Sequence, residues 1–236
     1  MAAFGGAAAL GHRWVTTSAR FAIRAIEVRG AHALSPDAVA SLLPVRIGDN
    51  MFASDTVSLE RVLRGNPWIE DADVHRELPG VLIATITERA PLALVDLGAP
   101  YLVDASGAPF KRAALERGEA QGLPVISGVE RLAFRADPVS STGLIRAGLE
   151  IIARWQASSR PTIAQLIFDD FGGVTLRTQE PALTIALGAL DDPSLTNRMH
   201  RFEEAWARLS EEERARTESI YLDAGSSQAT IAFAKN

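Results

Sequence analysis

The order of apolar patterns along this 236-residue chain predicts an α+β fold built in two parts. In the first part, one β-type run precedes two short helical patterns and two further β-type runs, which predicts a β-α-α-β-β unit. In the second part, many short β-type runs accompany two longer helical patterns, which predicts a mainly antiparallel β domain with two helices. Pro91 interrupts the pattern and marks the predicted boundary.

The stretch from Asn66 to Pro91 organises the first part and predicts a β-hairpin. Its two β-type runs, Trp68 to Glu77 and Val81 to Glu88, flank a Pro79-Gly80 turn. Proline presets φ and glycine accepts a positive φ, so this pair is a strong turn signal. No residue of the hairpin has an evident catalytic role, which points to a binding module. Trp68 is expected to pack in the core beneath the first helix, and the alternative is an exposed anchor for a partner.

Local signals define the other elements of the first part. Phe21 to Arg29 is a β-type run, and Ser35 before a proline predicts the start of a helix. Ser54-Asp55 predicts the start of a second helix in the same way. At the end of the unit, Glu88-Arg89 is expected to pair with neighbours where the two domains meet, and the alternative is a functional contact.

Short β-type runs separated by turn residues make up most of the second part. They are Leu92–Asp96, Tyr101–Asp104, Leu123–Gly128, Ile163–Phe168, Val174–Thr178, Ala182–Leu187, Ile220–Asp223 and Ala229–Phe233. Helical spacing predicts one helix from about Thr142 to Gln156 and a second that carries the apolar stripe from Leu195 to Leu209. The charged stretch from Glu211 to Arg216 is interpreted as a connector.

Composition excludes several classes of function. A net charge of −5 gives no electrostatic reason to expect nucleic-acid binding. The chain has no cysteine, which excludes disulfides, thiolate metal sites and a cysteine nucleophile. The sequence contains neither a phosphate-binding glycine loop followed by lysine nor a Gly-x-Ser-x-Gly elbow. We therefore expect no enzyme activity, no bound cofactor and no metal.

One pair of acidic residues leaves two interpretations open. Asp71 and Asp73 share one face of a predicted strand, and such a pair can hold a cation. A solvated sheet face is the favoured interpretation. The four histidines lie far apart in the sequence, which favours isolated surface side chains over a metal site; they are His12, His32, His75 and His200.

The N-terminal tail, residues 1–20, also has two interpretations. Met1 to Leu10 is small and apolar but too short to span a bilayer, which takes about 20 apolar residues. One interpretation is an Ala/Gly-rich tail. The other is the distal end of a transmembrane helix, with Trp14 at the membrane interface.

Several short motifs, taken together and in order, resemble the FtsQ/DivIB family of cell-division proteins. These motifs are Ile26-Glu27-Val28-Arg29-Gly30, Asn66-Pro67-Trp68-Ile69, Arg76-x-Leu78-Pro79, Glu88-Arg89-x-Pro91-x-Ala93, Leu102-Val103-Asp104-x-x-Gly107 and Leu123-Pro124-Val125-x-x-Gly128. The resemblance extends from about Phe21 to Phe233. It implies a POTRA domain over residues 21–89 and an FtsQ-type β domain over residues 90–236.

The resemblance also implies a function. It implies a non-enzymatic scaffold of the divisome in the bacterial inner membrane, single-pass, with the bulk of the chain in the periplasm. FtsB- and FtsL-type proteins are the implied partners, and septal peptidoglycan synthases are linked indirectly. An alternative is a POTRA-type transport or outer-membrane assembly component. Such proteins carry repeated POTRA units and a large membrane barrel, whereas this chain has one predicted POTRA unit and no room for a barrel. A cell-wall hydrolase with a dispersed site is a third possibility.

The last β-type run is the predicted partner-binding site, because a final strand can lie at a sheet edge and accept a strand from a partner. The resemblance implies the same, since the family binds FtsB through its C-terminal strands. The predicted partner-binding residues are Tyr221, Ser226, Ala229, Ile231 and Phe233. Ser226 lies near a tyrosine of better-known members, and Phe233 is the nearest counterpart of their terminal tryptophan. The alternative is that this strand only completes a hairpin with Ile220–Asp223.

Overall fold

The computed structural model describes residues 13–222 and 229–234 of the chain. Two predictions fall outside those residues: the apolar N-terminal segment up to residue 12, and the position of Ser226. The chain divides into two compact units, Met1–Arg89 and Ala90–Asn236. Each unit combines helices with a sheet, which confirms the predicted α+β class. No helix in the described ranges is both long enough and apolar enough to cross a membrane.

The first unit has the predicted β-α-α-β-β order. It consists of β1 (Ala25–Arg29), α1 (Pro36–Leu42), α2 (Thr56–Arg64), β2 (Ile69–Glu77) and β3 (Val81–Glu88). β3 is the middle strand, antiparallel to β2 and parallel to β1. The predicted hairpin is therefore confirmed as β2–β3, with a cis Leu78-Pro79 peptide bond in its turn.

Both helices of the first unit begin where the sequence predicts. The Ser35 hydroxyl accepts a hydrogen bond from the backbone N–H of Ala38 at 3.2 Å, at the start of α1. The Asp55 carboxylate accepts one from the N–H of Ser58 at 3.1 Å, at the start of α2. Because these N–H groups have no partner inside the helix, each side-chain acceptor stabilises its helix by about 1 kcal/mol.

The first strand is shorter than the predicted run from Phe21. The N–H of Ile23 donates to the carbonyl of Asp49, and its own carbonyl accepts from the N–H of Gly48, both at 2.8 Å. This segment therefore pairs with a loop rather than with the sheet, and β1 begins only at Ala25.

The core of the first unit joins both helices to the sheet. Its buried members are Ile23, Val39, Leu43, Val45, Met51, Leu59, Leu63, Ile69, Ala72, Val74, Leu82, Ala84 and Ile86. The prediction that Trp68 lies in this core is wrong, because Trp68 precedes β2 and is only partly buried. The next residue, Ile69, is 1% exposed and fills the core at this point.

The second unit contains a sheet of nine strands in the described residues. The elements are β4 (Ala93–Asp96), β5 (Pro100–Val103), β6 (Pro109–Arg112), β7 (Val125–Ser127), α3 (Arg131–Ala136), α4 (Pro138–Gln156), β8 (Ile163–Phe168), β9 (Gly173–Thr178), β10 (Thr184–Ala189), α5 (Leu195–Arg208), α6 (Glu211–Arg216), β11 (Thr217–Tyr221) and β12 (Thr230–Phe233). The sheet order is β12-β11-β10-β9-β8-β7-β4-β5-β6. The pairings β4–β7, β7–β8 and β10–β11 are parallel and the others are antiparallel, so the mainly antiparallel prediction is confirmed.

The two predicted helices of the second unit are α4 and α5, and two short helices add to them. α3 is absent from the sequence prediction, and α6 occupies the stretch interpreted as a charged connector. α6 begins with a capping box: the N–H of Glu213 donates to the Ser210 hydroxyl, and the N–H of Ser210 donates to the Glu213 carboxylate. β10 also continues past its predicted end at Leu187, through a bulge.

Two aromatic rings join α4 and α5 in the core of the second unit. Trp155 on α4 and Phe202 on α5 are both 0% exposed, and their ring centroids lie 4.7 Å apart. The indole N–H of Trp155 donates to the carbonyl of Pro161 at 2.9 Å, so its polar atom is satisfied. These contacts fix the position of α5, which lies beside the end of the sheet that carries β12.

Candidate partner-binding edge

β12 is the terminal strand at one end of the nine-stranded sheet, as far as the described residues extend. It pairs antiparallel with β11, with Ile231 opposite Ile220 and Thr230 opposite Tyr221. β12 therefore completes a hairpin with β11, and its other side is a sheet edge.

The backbone of β12 presents hydrogen-bonding groups to the open side. The N–H of Leu222 donates to Ala186 on β10 at 2.9 Å, so the backbone groups of Ile220 also face β10. Ile220 and its opposite residue Ile231 therefore form a non-hydrogen-bonded pair, and the N–H and carbonyl of Ile231 point away from β11. The N–H of Ala234 donates to the carbonyl of Arg216 at 2.8 Å, so Ala234 faces β11. The backbone groups of its neighbour Phe233 therefore point outward, as those of Ile231 do.

A cavity of about 390 Å³ lies between β12 and the end of α5. Ala229 and Ile231 form its apolar part on the strand side, and both also pack against the core. The other lining residues are Arg201, Glu204, Ala205, Arg208 and Leu209. The cavity thus combines an apolar floor with two guanidinium groups and one carboxylate, next to a strand whose edge backbone groups point outward.

Phe233 lines a different cavity, of about 420 Å³, beside the start of α6. The Glu213 carboxylate accepts a hydrogen bond from the backbone N–H of Ser210 and a weaker one from its hydroxyl. These bonds lower the pKa of the Glu213 carboxyl below its usual range. Glu213 is therefore ionised near neutral pH and lies in the same cavity as Arg216 and Phe233. The Phe233 side chain is 42% exposed, so much of the ring is available for contact.

The structure brings together only some of the predicted partner-binding residues. Ala229 and Ile231 share one cavity, and Phe233 lies further along the strand. Tyr221 is 45% exposed but lies on the opposite face of the sheet, because its neighbour Ile220 points into the core. Ser226 lies outside the described residues.

Sequence reasoning missed the residues that the helix contributes to the cavity. Arg201 and Arg208 lie two turns apart on α5, with Leu209 directly after the helix. The apolar stripe from Leu195 to Leu209 predicts which face of the helix packs inward, but it carries no information about what lies beside the helix. The seven-residue spacing of the two arginines is the only local signal.

An ion pair between a buried arginine and a partly exposed glutamate holds α5 against the segment that follows α4. The Arg160 side chain is 5% exposed, and its guanidinium lies 2.9 Å from the Glu203 carboxylate. Burial raises the pKa of Glu203, but hydrogen bonding from Ser158 and the charge of Arg160 together lower it by more. The net pKa of Glu203 therefore lies below its usual range. The same guanidinium lies 5.1 Å from the centre of the Trp155 ring.

The described residues contain no group of three or more histidine, aspartate or glutamate side chains suited to a metal ion. The acidic pair on β2 is engaged by different partners: Asp71 accepts from Arg64 at 2.8 Å, and Asp73 lies 3.3 Å from the ring of His75. The arrangement around β12 offers backbone edge groups, apolar side chains and charges. It is suited to binding a chain segment.

Comparison with known families matches both units of the chain. The POTRA domain of FtsQ type matches residues 21–89, and the C-terminal domain of cell division protein FtsQ/DivIB matches residues 93–223. The second match ends before β12. The two matches together span most of the chain, and they correspond to the two compact units.

Relatives named cell division protein FtsQ show the same similarity over most of the chain. The protein from Anaeromyxobacter sp. (strain K) is 37% identical over 226 residues, which cover 94% of this chain and 74% of that protein. The protein from Geotalea daltonii is 30% identical, over 84% of this chain and 73% of that protein. The protein from Myxococcus fulvus is 31% identical, over 78% of this chain and 62% of that protein. The chain therefore belongs to the FtsQ/DivIB family of cell-division proteins.

Proposed function

We propose that this chain is a non-enzymatic scaffold of the bacterial division machinery, and that it binds FtsB- and FtsL-type proteins. In this proposal the bulk of the chain lies in the periplasm, and an N-terminal helix anchors it in the inner membrane. Binding links early division proteins with septal peptidoglycan synthesis. Membership of the FtsQ/DivIB family supports the role in division.

The observation that carries the binding proposal is the outward direction of the backbone groups of Ile231 and Phe233. A strand laid along β12 continues the sheet by hydrogen bonding to these groups, which gives affinity that does not depend on the partner's side chains. The hairpin with β11 holds β12 extended before binding, so little conformational entropy is lost from this side of the interface.

The cavity between β12 and α5 supplies the specificity. Alternate side chains of an added strand point to the face that carries α5, where Ile231 and Ala229 form an apolar floor. Arg201 and Arg208 border this floor, and they favour a partner segment that carries a carboxylate beside an apolar side chain. Phe233 offers a second apolar contact further along the strand.

Two proline substitutions on adjacent residues test the proposal. Ile231→Pro removes an N–H that points to the open edge, so the hairpin with β11 keeps its hydrogen bonds. We expect this variant to stay folded by far-UV circular dichroism and to lose binding to the periplasmic segment of an FtsB-type protein. Isothermal titration calorimetry with that segment measures the loss.

Ala232→Pro is the matched control, because its N–H points toward β11 and belongs to the ladder. This variant should lower the thermal midpoint of the second unit, whereas Ile231→Pro should barely change it. Undiminished binding by a folded Ile231→Pro variant would exclude the β12 edge as the binding site.

A further inference from the structure

The three-stranded sheet of the first unit has two edges, and in the described residues side chains of α2 close one of them. On β2, the outward N–H of Val74 donates to the carboxylate of Glu60 at 3.2 Å. The outward carbonyl of Ala72 accepts from the guanidinium of Arg64 at 2.6 Å. Both acceptor and donor belong to α2, so this helix satisfies the edge groups that an added strand needs.

Further contacts hold this closure in place. Arg64 also donates to Asp71 on β2 at 2.8 Å, which fixes the guanidinium along the strand. Arg76 donates to the carbonyls of Met51 and Ser54 at 2.7 and 2.6 Å, which holds the loop before α2 beside the same edge. The β2 edge is therefore closed over much of its length.

The β1 edge has a different character. The N–H of Ala25 donates to the carbonyl of Gly80, at the start of the ladder with β3. Backbone groups alternate in direction along a strand, so those of Ile26 and Val28 point to the outer side. In the described part of the chain, the loop that pairs with Ile23 ends before β1, and no side chain caps the edge beyond it as Glu60 and Arg64 cap β2.

The side chains of β1 are complementary to a second copy of the same strand. Glu27 and Arg29 lie on one face, are 51% and 56% exposed, and form an ion pair at 3.0 Å. If two β1 strands meet antiparallel with Val28 opposite Val28 of the second copy, each Glu27 faces the Arg29 of the other strand. Ile26 and Val28 lie on the opposite face, which is the core side.

We propose that this edge is a self-association surface, at which β1 pairs antiparallel with β1 of a second copy of this chain. A twofold axis through Val28 gives hydrogen bonds between outward backbone groups and two opposite-charge cross-strand pairs. The strand has only five residues, so the contact is far smaller than the interface of a permanent dimer, and the association is weak and reversible. This surface is separate from β12 and does not depend on the function proposed there.

Crosslinking of the full chain tests the proposed register. The chain has no cysteine, so Val28→Cys introduces a single thiol that meets its own copy across the twofold axis. His75→Cys on β2 is the matched control, since it places an exposed thiol on the closed edge. Under mild oxidation we expect a crosslinked dimer from Val28→Cys that increases with protein concentration, and little from His75→Cys. Equal yields from the two variants would overturn the proposal.

Charge reversal provides the second measurement. Adding Glu27→Arg to Val28→Cys makes both cross-strand pairs repulsive, and we expect crosslinking to fall by about tenfold. Adding Arg29→Glu as well restores opposite charges across the axis and should restore the yield. If the triple variant crosslinks no better than the double variant, the register is wrong and the proposal fails. Sedimentation of the cysteine-free Glu27→Arg and Glu27→Arg/Arg29→Glu chains gives the same comparison if Val28→Cys does not fold.

Discussion

The side chain of Glu88 accepts a hydrogen bond from the backbone N–H of Leu34 at 2.9 Å, 54 residues away in sequence. It accepts a second from the N–H of Ala33 at 2.8 Å. One carboxylate at the end of β3 thereby holds the loop between β1 and α1. These bonds stay within the first unit, so Glu88 has a local role instead of the expected pairing at the domain boundary.

Replacement of Glu88 should destabilise the first unit. Glu88→Ala leaves two N–H groups without their acceptor, which costs about 1–3 kcal/mol in the free energy of unfolding. Urea denaturation of the full chain, followed by circular dichroism, measures this cost. Glu77→Ala is the matched control, because Glu77 also ends a strand of this sheet but is exposed. A similar effect from both variants would contradict the assigned role.

The same carboxyl makes stability depend on pH. Although burial raises the pKa of Glu88, the backbone hydrogen bonds from Ala33, Leu34 and His32 lower it more, so the net pKa lies below its usual range. A lowered pKa contributes stability that is present above the unfolded pKa and lost as the pH falls through the folded pKa. The stability difference between the wild type and Glu88→Gln should therefore be largest near neutral pH. It should shrink as the pH falls below about 4.3, the ordinary glutamate value. A difference that grows on acidification would show the opposite sign of linkage.

Two tryptophans should differ in their contribution to stability. Trp155 is 0% exposed and packs on Phe202, so Trp155→Ala should cost about 3–5 kcal/mol. Trp68 is only partly buried, and Trp68→Ala should cost about 1–2 kcal/mol. Chemical denaturation of both variants gives the comparison. An equal or greater cost for Trp68 would place it in the core after all.

Substitutions at two glycines with positive φ distinguish the cost of an unfavourable backbone conformation from the cost of steric crowding. Gly128 (φ 88°) and Gly122 (φ 76°) share the left-handed region, but an added Cβ at Gly128 would lie 1.9 Å from the Phe168 carbonyl oxygen, whereas Gly122 faces open space. Gly122→Ala should cost about 1–2 kcal/mol for the backbone alone. Gly128→Ala should cost at least about 1–3 kcal/mol more, because the backbone must shift to relieve the overlap. Thermal melts of the two variants test this difference.

The closure of the β2 edge predicts a consequence of removing it. The double substitution Glu60→Ala/Arg64→Ala frees the N–H of Val74 and the carbonyl of Ala72. We expect this variant to associate at concentrations where the wild type is monomeric, since an exposed edge pairs with other strands. Sedimentation velocity across a concentration series measures it. Glu70→Ala, on the same strand but exposed, should sediment as the wild type does.

Local chemistry made much of the first unit predictable. Ser35 and Asp55 start helices because a side-chain acceptor satisfies an N–H within three residues, and Pro79-Gly80 forms a turn through its own φ preferences. Trp68 shows where this reasoning ends. Alternation back from the buried Ala72 and Val74 assigns the inward side to Trp68. A β-bulge between Ile69 and Asp71 shifts this alternation by one residue, so Ile69 points inward instead.

The edge proposed for binding was predictable in outline but not in its details. The sequence predicts the last strand at a sheet edge, and β12 lies at an edge of the sheet that the described residues form. The roles of Arg201 and Arg208 depend on where α5 lies beside β12, which the periodicity of either element does not determine. α6 has no apolar stripe, so only the Ser210–Glu213 capping pattern signals it.

The parallel pairing of β10 and β11 has a kinetic consequence for the edge that β12 presents. Parallel neighbours need a crossover, and here α5 and α6 supply it between Ala189 and Thr217. Closing that loop costs conformational entropy before the β10–β11 contacts form. We therefore expect the β11–β12 hairpin to join the sheet late in folding and to separate early in local opening. Separation of β11 and β12 removes the edge that we propose for binding, while β10 and the strands on its other side remain paired. We therefore expect local opening of this strand pair to limit the lifetime of the edge proposed for binding, and amide exchange at Ile220 and Leu222 measures it.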